Sequence, residues 1–242
     1  MSGALLEVSG LVRRFGGFTA VDGVDLQVSA GERVGIIGPN GSGKTTLIQC
    51  IAGALRPDAG RVRLAGADVT AWPPHRRARQ GLARTFQIPR PFASLSVAGN
   101  VAVPLEFVAP RPARPDAEVT RLLARVGLEA AAARPAGSLS QVDLRRLELA
   151  RALAARPRLL LLDEVMAGLS TDEVDGVLDL VRALNAEGVA VVMIEHIMRA
   201  VMGFSERVLC LDAGRVVAEG APAAILEDPR VRRIYLGDAA DG

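Results

Sequence analysis

The segment Gly38-Pro39-Asn40-Gly41-Ser42-Gly43-Lys44-Thr45 combines what a polyphosphate needs from a polypeptide. Its glycines let successive backbone N–H groups turn inward around the phosphates. Lys44 is a slim point charge that fits a tight cradle and would reach the β- and γ-phosphates. Thr45 offers a hydroxyl to Mg²⁺. The spacing fits the P-loop pattern GxxxxGK[ST], which is specific when it follows a strand and opens a helix. Val34 to Ile37 reads as a buried strand and Lys44 to about Gly53 as a helix, so that context is met. The helix N-terminus adds its own partial positive charge. ATP with Mg²⁺ is the expected ligand of Gly38 through Thr45, with Thr46 beside them. The chain has 29 basic residues, and Lys44 is the one lysine. An arginine bias of this kind usually reflects a GC-rich genome, so most of the arginines need no special role.

Further polar residues fall where strands should end. Leu159 to Asp163 reads as a strand ending in a carboxylate, with Glu164 next. Beside a P-loop, Asp163 is placed to hold Mg²⁺ and Glu164 to polarise an attacking water. Taken alone, the pair could be a solvated acidic turn. His196 follows the predicted strand Val189 to Ile194, at the carboxyl edge where open α/β sheets bind ligands. A lone histidine there is usually structural; with the other motifs it fits a γ-phosphate sensor. Gln87 ends the predicted strand Leu82 to Phe86, where it could sense Mg²⁺ and signal to the region that follows.

The elements that must position these groups follow an α/β order. The first ~30 residues alternate polar and apolar, with turns at Gly16, Gly17, Gly23 and Gly31, and read as antiparallel strands. Arg61 to Leu64 is a further strand. Between 88 and 155 the period becomes helical, over Ser96 to Phe107, Asp116 to Val126 and Ser140 to Ala155. Pro104, Pro110, Pro112 and Pro115 mark a stiff connection there. Strand–helix alternation then resumes with the helix Thr171 to Glu187, and Val208 to Asp212 with Arg215 to Glu219 form a hairpin around Ala213-Gly214. This order predicts a parallel sheet covered on both faces. One domain is expected over 1–242, with a nucleotide-binding core at 1–87 and 156–242 and a helical insertion at 88–155. Half of the residues are apolar, enough for a large core, yet no apolar run reaches the ~18 residues that span a bilayer. Nothing at the N-terminus marks export. A formal charge of +2 does not argue for a nucleic-acid partner. Cys50 and Cys210 lack a CxxC spacing and read as reduced, buried thiols.

Over its whole length the chain resembles ABC transporter ATPases. The resemblance lies in the order P-loop, Gln87, a signature segment before Arg145-Arg146-Leu147-Glu148-Leu149-Ala150-Arg151-Ala152-Leu153, Asp163-Glu164, then His196. Arg13-Arg14-Phe15-Gly16-Gly17, Arg84-Thr85-Phe86-Gln87, Met166-Ala167-Gly168-Leu169, Ile194-Glu195-His196 and Tyr235-Leu236-Gly237 are similar to the branched-chain amino acid importer ATPases of the LivG type. The resemblance implies an α/β P-loop NTPase (RecA-like) core with an antiparallel β subdomain and an inserted helical subdomain. It implies that Phe15 stacks on adenine, although a core phenylalanine is the alternative. Gly168 to Asp172 would touch an opposite subunit. The expected partners are a second ABC ATPase subunit in a heterodimer, transmembrane permease subunits and, through them, a periplasmic binding protein. The chain would sit peripherally on the cytoplasmic face of the inner membrane, with Phe92 to Val103 receiving a permease coupling helix; the alternative is that residues such as Phe92 and Leu95 only pack the helical subdomain.

The chain also departs from that family. ABC ATPases generally read LSGGQ at the signature, whereas the register here gives Leu139-Ser140-Gln141-Val142-Asp143. The segment is expected to close over the partner's ATP, with Ser140 in contact. Val142 adds a branched Cβ and Asp143 a charge near an anion. Alternatively, Ser140-x-x-Asp143 forms a capping box, Asp143 turning back onto the Ser140 N–H. Val165 replaces a common proline and is expected to sit in an extended segment. Two other readings remain open: export, for instance of lipid, by a similar cassette, and a soluble ABC ATPase in translation or repair.

Overall fold

The computed structural model describes residues 3–86, 88–108 and 112–236; Gln87, Pro110 and Gly237 lie outside the described residues. The chain opens with a hairpin, β1 (Leu6–Phe15) and β2 (Phe18–Val28). It continues through β3 (Arg33–Ile37), α1 (Lys44–Ala52), β4 (Ala59–Leu64), β5 (Ala67–Asp68), α2 (Pro74–Arg79) and β6 (Leu82–Arg84). Three helices follow, α3 (Val97–Phe107), α4 (Pro115–Arg125) and α5 (Gln141–Ala154). The rest is β7 (Leu159–Asp163), α6 (Thr171–Ala186), β8 (Ala190–Ile194), α7 (Met198–Phe204), β9 (Arg207–Asp212), β10 (Arg215–Gly220), α8 (Pro222–Glu227) and α9 (Pro229–Leu236). One sheet has the order β2-β1-β4-β5 and is antiparallel. The other has the order β10-β9-β3-β8-β7-β6; its strands are parallel except for β10, which turns back on β9.

Side-chain alternation explains why that second sheet is covered on both faces. Leu160 and Leu162 of β7 join a core with α3, α4, α5 and α6. Leu159 and Leu161 join another, with α1 and the antiparallel sheet. Strand β9 divides likewise: Leu209 and Leu211 face α1, whereas Val208 and Cys210 face a third cluster with Val201 of α7, Ile225 of α8 and Val231 of α9. The period of two in a strand sends neighbours to opposite faces, so nearly every residue of these strands is apolar. Cys50 and Cys210 are free and buried, and burial raises both thiols to about 11.

Several local expectations need correction. The strand Leu82–Phe86 ends at Arg84: the Thr85 N–H still donates to the Leu161 carbonyl at 3.0 Å, while the Phe86 N–H donates to Glu148 Oε2 at 3.3 Å. Pro104 lies inside α3, and Pro115 opens α4 at its first turn, where a proline costs no helix hydrogen bond. Val165 is buried in a turn, not extended. At α5 half of the capping box forms: Ser140 Oγ accepts from the Asp143 N–H at 3.1 Å, but the Asp143 carboxylate lies 3.5 Å from Arg146. A complete box starts α6, between Ser170 and Glu173.

Helix α1 carries the predicted phosphate loop at its start, and a buried cation anchors its other end. Arg77 of α2 is 1% exposed. Its Nη1 donates to the carbonyls of Cys50 and Ile51 at 2.7 and 2.6 Å, its Nη2 to Thr70 at 3.0 Å and its Nε to Trp72 at 3.0 Å. Two of these carbonyls belong to the last turn of α1, where helical donors run out, although the Cys50 carbonyl also accepts from the Gly53 N–H at 3.2 Å. Burial lowers the guanidinium to about 10 without discharging it at neutral pH. Gly53 ends the helix in the left-handed region, and a Cβ there would lie 2.6 Å from Arg77 Nε. Replacing Arg77 by Met should lower the unfolding free energy by about 2–4 kcal/mol, because four acceptors lose a donor, two of them in buried bonds. Lys should recover only part of this, lacking the planar fork. Urea denaturation of the three proteins measures both effects.

Candidate functional site

Three parallel neighbours, β3, β8 and β7, deliver their carboxyl ends to one place. After β3 the chain makes the predicted phosphate loop. Gly38 and Gly43 have φ of +149° and +101°. A Cβ would stand 2.1 Å from the Leu211 carbonyl oxygen at Gly38 and 2.2 Å from that of Ala20 at Gly43, so both positions require glycine. Lys44 is buried, and its Nζ donates to the carbonyls of Gly38 at 2.7 Å and Pro39 at 2.9 Å. Burial lowers its pKa, while Glu164, Cys210 and Asp163 oppose that shift in decreasing order. A cavity of ≈ 330 Å³ opens over the loop. Asn40, Gly41, Ser42, Gly43, Lys44, Thr45 and Thr46 line it, with Glu164 at one side and Phe15 and Phe18 at another. Phe15 is 45% exposed, which removes the alternative of a core phenylalanine; its ring has the Arg13 guanidinium 4.7 Å from its centroid.

Glu164 follows β7 with φ +51°, a conformation few non-glycine residues adopt, and its N–H donates to the Ile194 carbonyl of β8 at 2.9 Å. This turn brings Glu164 Oε1 within 2.7 Å of His196 Nε2, just beyond the end of β8. Glu195 points the other way and is 2% exposed. Its Oε1 accepts from the Met166 N–H at 2.8 Å, tying down the turn that carries Glu164. Burial raises the Glu195 carboxyl to about 7. Asp163 is also buried, with Oδ2 paired to Arg84 at 2.7 Å. Its Oδ1 has no hydrogen-bond partner among the described residues. Asp163 and Thr45 line a second cavity of ≈ 250 Å³, which adjoins the phosphate loop at Thr45.

An orphaned buried carboxylate oxygen and a hydroxyl on one cavity fit a hard cation. No group of three or more His, Cys, Asp or Glu side chains placed to hold a metal occurs among the described residues. A cation there would take its remaining ligands from phosphate and water, as suits Mg²⁺.

The structure therefore gathers Lys44, Thr45, Thr46, Glu164 and Phe15 around one cavity, with His196 bonded to Glu164 and Asp163 next door. Gly38 and Pro39 support Lys44 from beneath rather than lining that cavity. Ser140 is exposed and is not among the lining residues. The Arg84–Asp163 pair and the Glu195 anchor received no role from sequence reasoning. Both lie in segments quoted for their resemblance, but only the fold brings each to its partner. A third cavity, an apolar groove of ≈ 370 Å³, lies between the sheet and the helical region, lined in part by Ala83, Phe86, Phe92, Val103 and Pro104. Phe92 and Leu95 are 44% and 39% exposed at or near it.

Comparison with known proteins places this geometry. Residues 21–167 match the ABC transporter family, and residues 215–241 match the branched-chain amino acid ATP-binding cassette transporter family. The chain is 40% identical to the high-affinity branched-chain amino acid transport ATP-binding protein BraF of Pseudomonas aeruginosa, over 99% of this chain and 100% of that one. It is also 40% identical to the lipopolysaccharide export system ATP-binding protein LptB of Acidithiobacillus ferridurans, over 97% of each. Among solved structures, a nucleotide-free ATP-binding cassette from an ABC transporter superposes with a TM-score of 0.87 at 31% identity, over 97% of this chain and 100% of that one.

The Glu195 anchor has a measurable signature. A carboxyl whose folded pKa is raised from about 4.5 to about 7 binds more protons folded than unfolded between those values, so stability falls as pH rises through that window. Glu195→Gln keeps an acceptor for the Met166 N–H and removes the charge. It should leave stability nearly unchanged at pH 4.5 and increase it at pH 8, on the order of 1–3 kcal/mol. Denaturation midpoints of both proteins across that pH range test the sign.

Proposed function

The chain belongs to the ABC transporter ATP-binding family, and on that premise we propose that it is the ATP-hydrolysing motor subunit of a bacterial importer for branched-chain or other small amino acids. The observation that carries the ATPase reading is the shared cavity of Lys44 and Glu164, with His196 bonded to Glu164 at 2.7 Å. The match of residues 215–241 and the relation to BraF support the substrate class. Equal identity to LptB keeps lipid export as the second reading.

In this proposal ATP lies along the phosphate loop with adenine against Phe15. The backbone of residues 40–43 and the Lys44 ammonium hold the β- and γ-phosphates, with Gly38 and Pro39 fixing Lys44 beneath them and Thr46 at the mouth of the helix. Thr45, Asp163 and Gln87 hold Mg²⁺, which when bound neutralises charge on the phosphates. Glu164 accepts a hydrogen bond from the attacking water, whose oxygen forms a bond to the γ-phosphorus as the bond to the β–γ bridging oxygen breaks. The electron pair leaves with ADP and the water proton passes to Glu164. His196 turns from Glu164 to a γ-phosphate oxygen and so reports that the phosphate is present.

The proposed assembly has two cassettes, most simply a heterodimer, in which Ser140 of each chain reaches the ATP on the other. Residues 88–155 act as a helical unit that carries this contact. A coupling helix of a permease enters the apolar groove at Phe92 and Val103, and a periplasmic binding protein delivers substrate. Among the described residues no helix is long and apolar enough to cross a membrane, which fits a peripheral subunit on the cytoplasmic face of the inner membrane.

The direct test is uptake of labelled leucine, isoleucine or valine in the source bacterium. Deleting the gene should abolish high-affinity uptake, and wild type should restore it. Neither Lys44→Ala nor Glu164→Gln should restore it; the first should also lose ATP binding, and the second should retain binding while its turnover drops by about 100-fold or more. Normal amino acid uptake in the deletion strain, with a defect in lipid export, would transfer the assignment to the second reading.

The altered signature gives a further expectation. With Gln141, Val142 and Asp143 in place of the usual glycines, the partner's ATP should be clasped more weakly than the ATP held by this chain's own loop. Losing close backbone contact and adding a charge should cost about 1–3 kcal/mol at the transition state, or about 10- to 100-fold in rate. Changing Val142 to Gly and Asp143 to Gln should raise turnover at the partner's site, measured in heterodimers with one catalytic glutamate inactivated at a time. Equal turnover at both sites before and after restoration would reduce Ser140 to a helix cap.

A further inference from the structure

The last described helix reaches the first residue of the phosphate loop. Strand β3 ends at Ile37, so Gly38 is the first residue whose N–H falls outside the ladder. That residue is buried, with φ +149°. The acceptor it meets is the hydroxyl of Tyr235, at 2.7 Å, across 197 residues of chain. The same Gly38 offers its carbonyl to Lys44 Nζ, also at 2.7 Å. One residue is therefore held at its N–H by α9 and at its C=O by the phosphate-binding lysine. The tyrosine is 44% exposed, and the burial of the rest of its ring raises its pKa, so at neutral pH the hydroxyl keeps its proton and accepts through a lone pair. Its backing is apolar. Val231, one turn earlier on the same helix face, is buried in the cluster with Ile37 and Cys210, and Ile234 packs against that cluster.

We infer that Tyr235 is a positioning residue for the phosphate site: it clamps Gly38, so that docking of α9 and binding of ATP reinforce each other. Without the hydroxyl, a buried N–H loses its partner and the start of the loop can relax away from the shape that cradles phosphate. Nucleotide binding then has to restore that shape, which weakens affinity without touching the groups that carry the chemistry. Linkage is reciprocal, so nucleotide in the cavity must in turn hold α9 against β9 and β10. The C-terminal helix thereby becomes a second place from which the affinity for ATP can be set.

The inference rests on the nucleotide-site reading above, and one experiment separates the two. The full chain and Tyr235→Phe are titrated with a non-hydrolysable ATP analogue and Mg²⁺, and their steady-state ATPase is measured with the partner subunits. Amide exchange of residues 231–235 is followed with and without the analogue. Tyr235→Phe keeps the ring and its packing, and circular dichroism confirms its fold. It should raise the Kd and the KM for ATP by about 5- to 10-fold while kcat stays within about twofold. The analogue should slow exchange in α9 of the wild type and do so less in the variant. Wild-type binding with a Kd unchanged in Tyr235→Phe, or exchange in α9 indifferent to nucleotide, would overturn the inference alone. A wild type that does not bind the analogue would overturn the nucleotide-site reading and this inference with it.

Discussion

The Lys44 ammonium is a buried charge whose protons go to backbone carbonyls, and the loop around it is shaped by that fact. Burying an unpaired cation is costly unless its protons find acceptors. Here they find the carbonyls of Gly38 and Pro39, with the Ser42 hydroxyl at 3.4 Å. To supply those carbonyls the chain must fold back over the lysine, and this requires the positive φ of Gly38 and Gly43. With the carbonyls turned inward, the N–H groups along the outer side of the loop are left for an anion. Arg77 serves the same helix at its other end by satisfying its last carbonyls. The lone lysine and a buried arginine thus fix the two ends of α1.

The second organising interaction is the pair between Arg84 and Asp163. It joins β6, the edge strand, to the carboxyl end of β7 inside the site. The Arg84 guanidinium also lies 5.2 Å from the centre of the Phe86 ring, and the Phe86 N–H rests on Glu148, a buried carboxyl raised to about 7 by its surroundings. Phe86 and Glu148 line the apolar groove. A continuous chain of contacts therefore runs from the carboxylate proposed to hold Mg²⁺ to the groove proposed to receive the permease. The path is short and is built from charged and aromatic groups.

Much of this was legible in the residues. The phosphate loop could be read because glycine, lysine and threonine at those spacings have few other uses, and the strand-end groups because β7 and β8 are unbroken apolar runs. Partners distant in sequence could not be read. Nothing local in Arg84-Thr85-Phe86 says that the arginine meets Asp163, or that the Phe86 N–H meets Glu148. The half-formed capping box at Ser140 was misjudged because i,i+3 spacing also lets Asp143 reach Arg146. The short helices α2, α7, α8 and α9 went unread, since segments of six to eight residues carry little periodicity.

The two cysteines lie in separate cores, Cys50 with α1 and the antiparallel sheet, Cys210 beneath α8 and α9. Thiolate is the reactive form, and a thiol held near 11 is almost wholly protonated in the cell. Mild oxidants and alkylating agents should therefore pass this subunit by while it is folded. The two sulfurs also make the native protein its own stopwatch. Reagent should reach Cys210 on opening of the C-terminal helices and Cys50 only on opening of the main body, so the difference between their rates of labelling would separate a local breath from the loss of the fold.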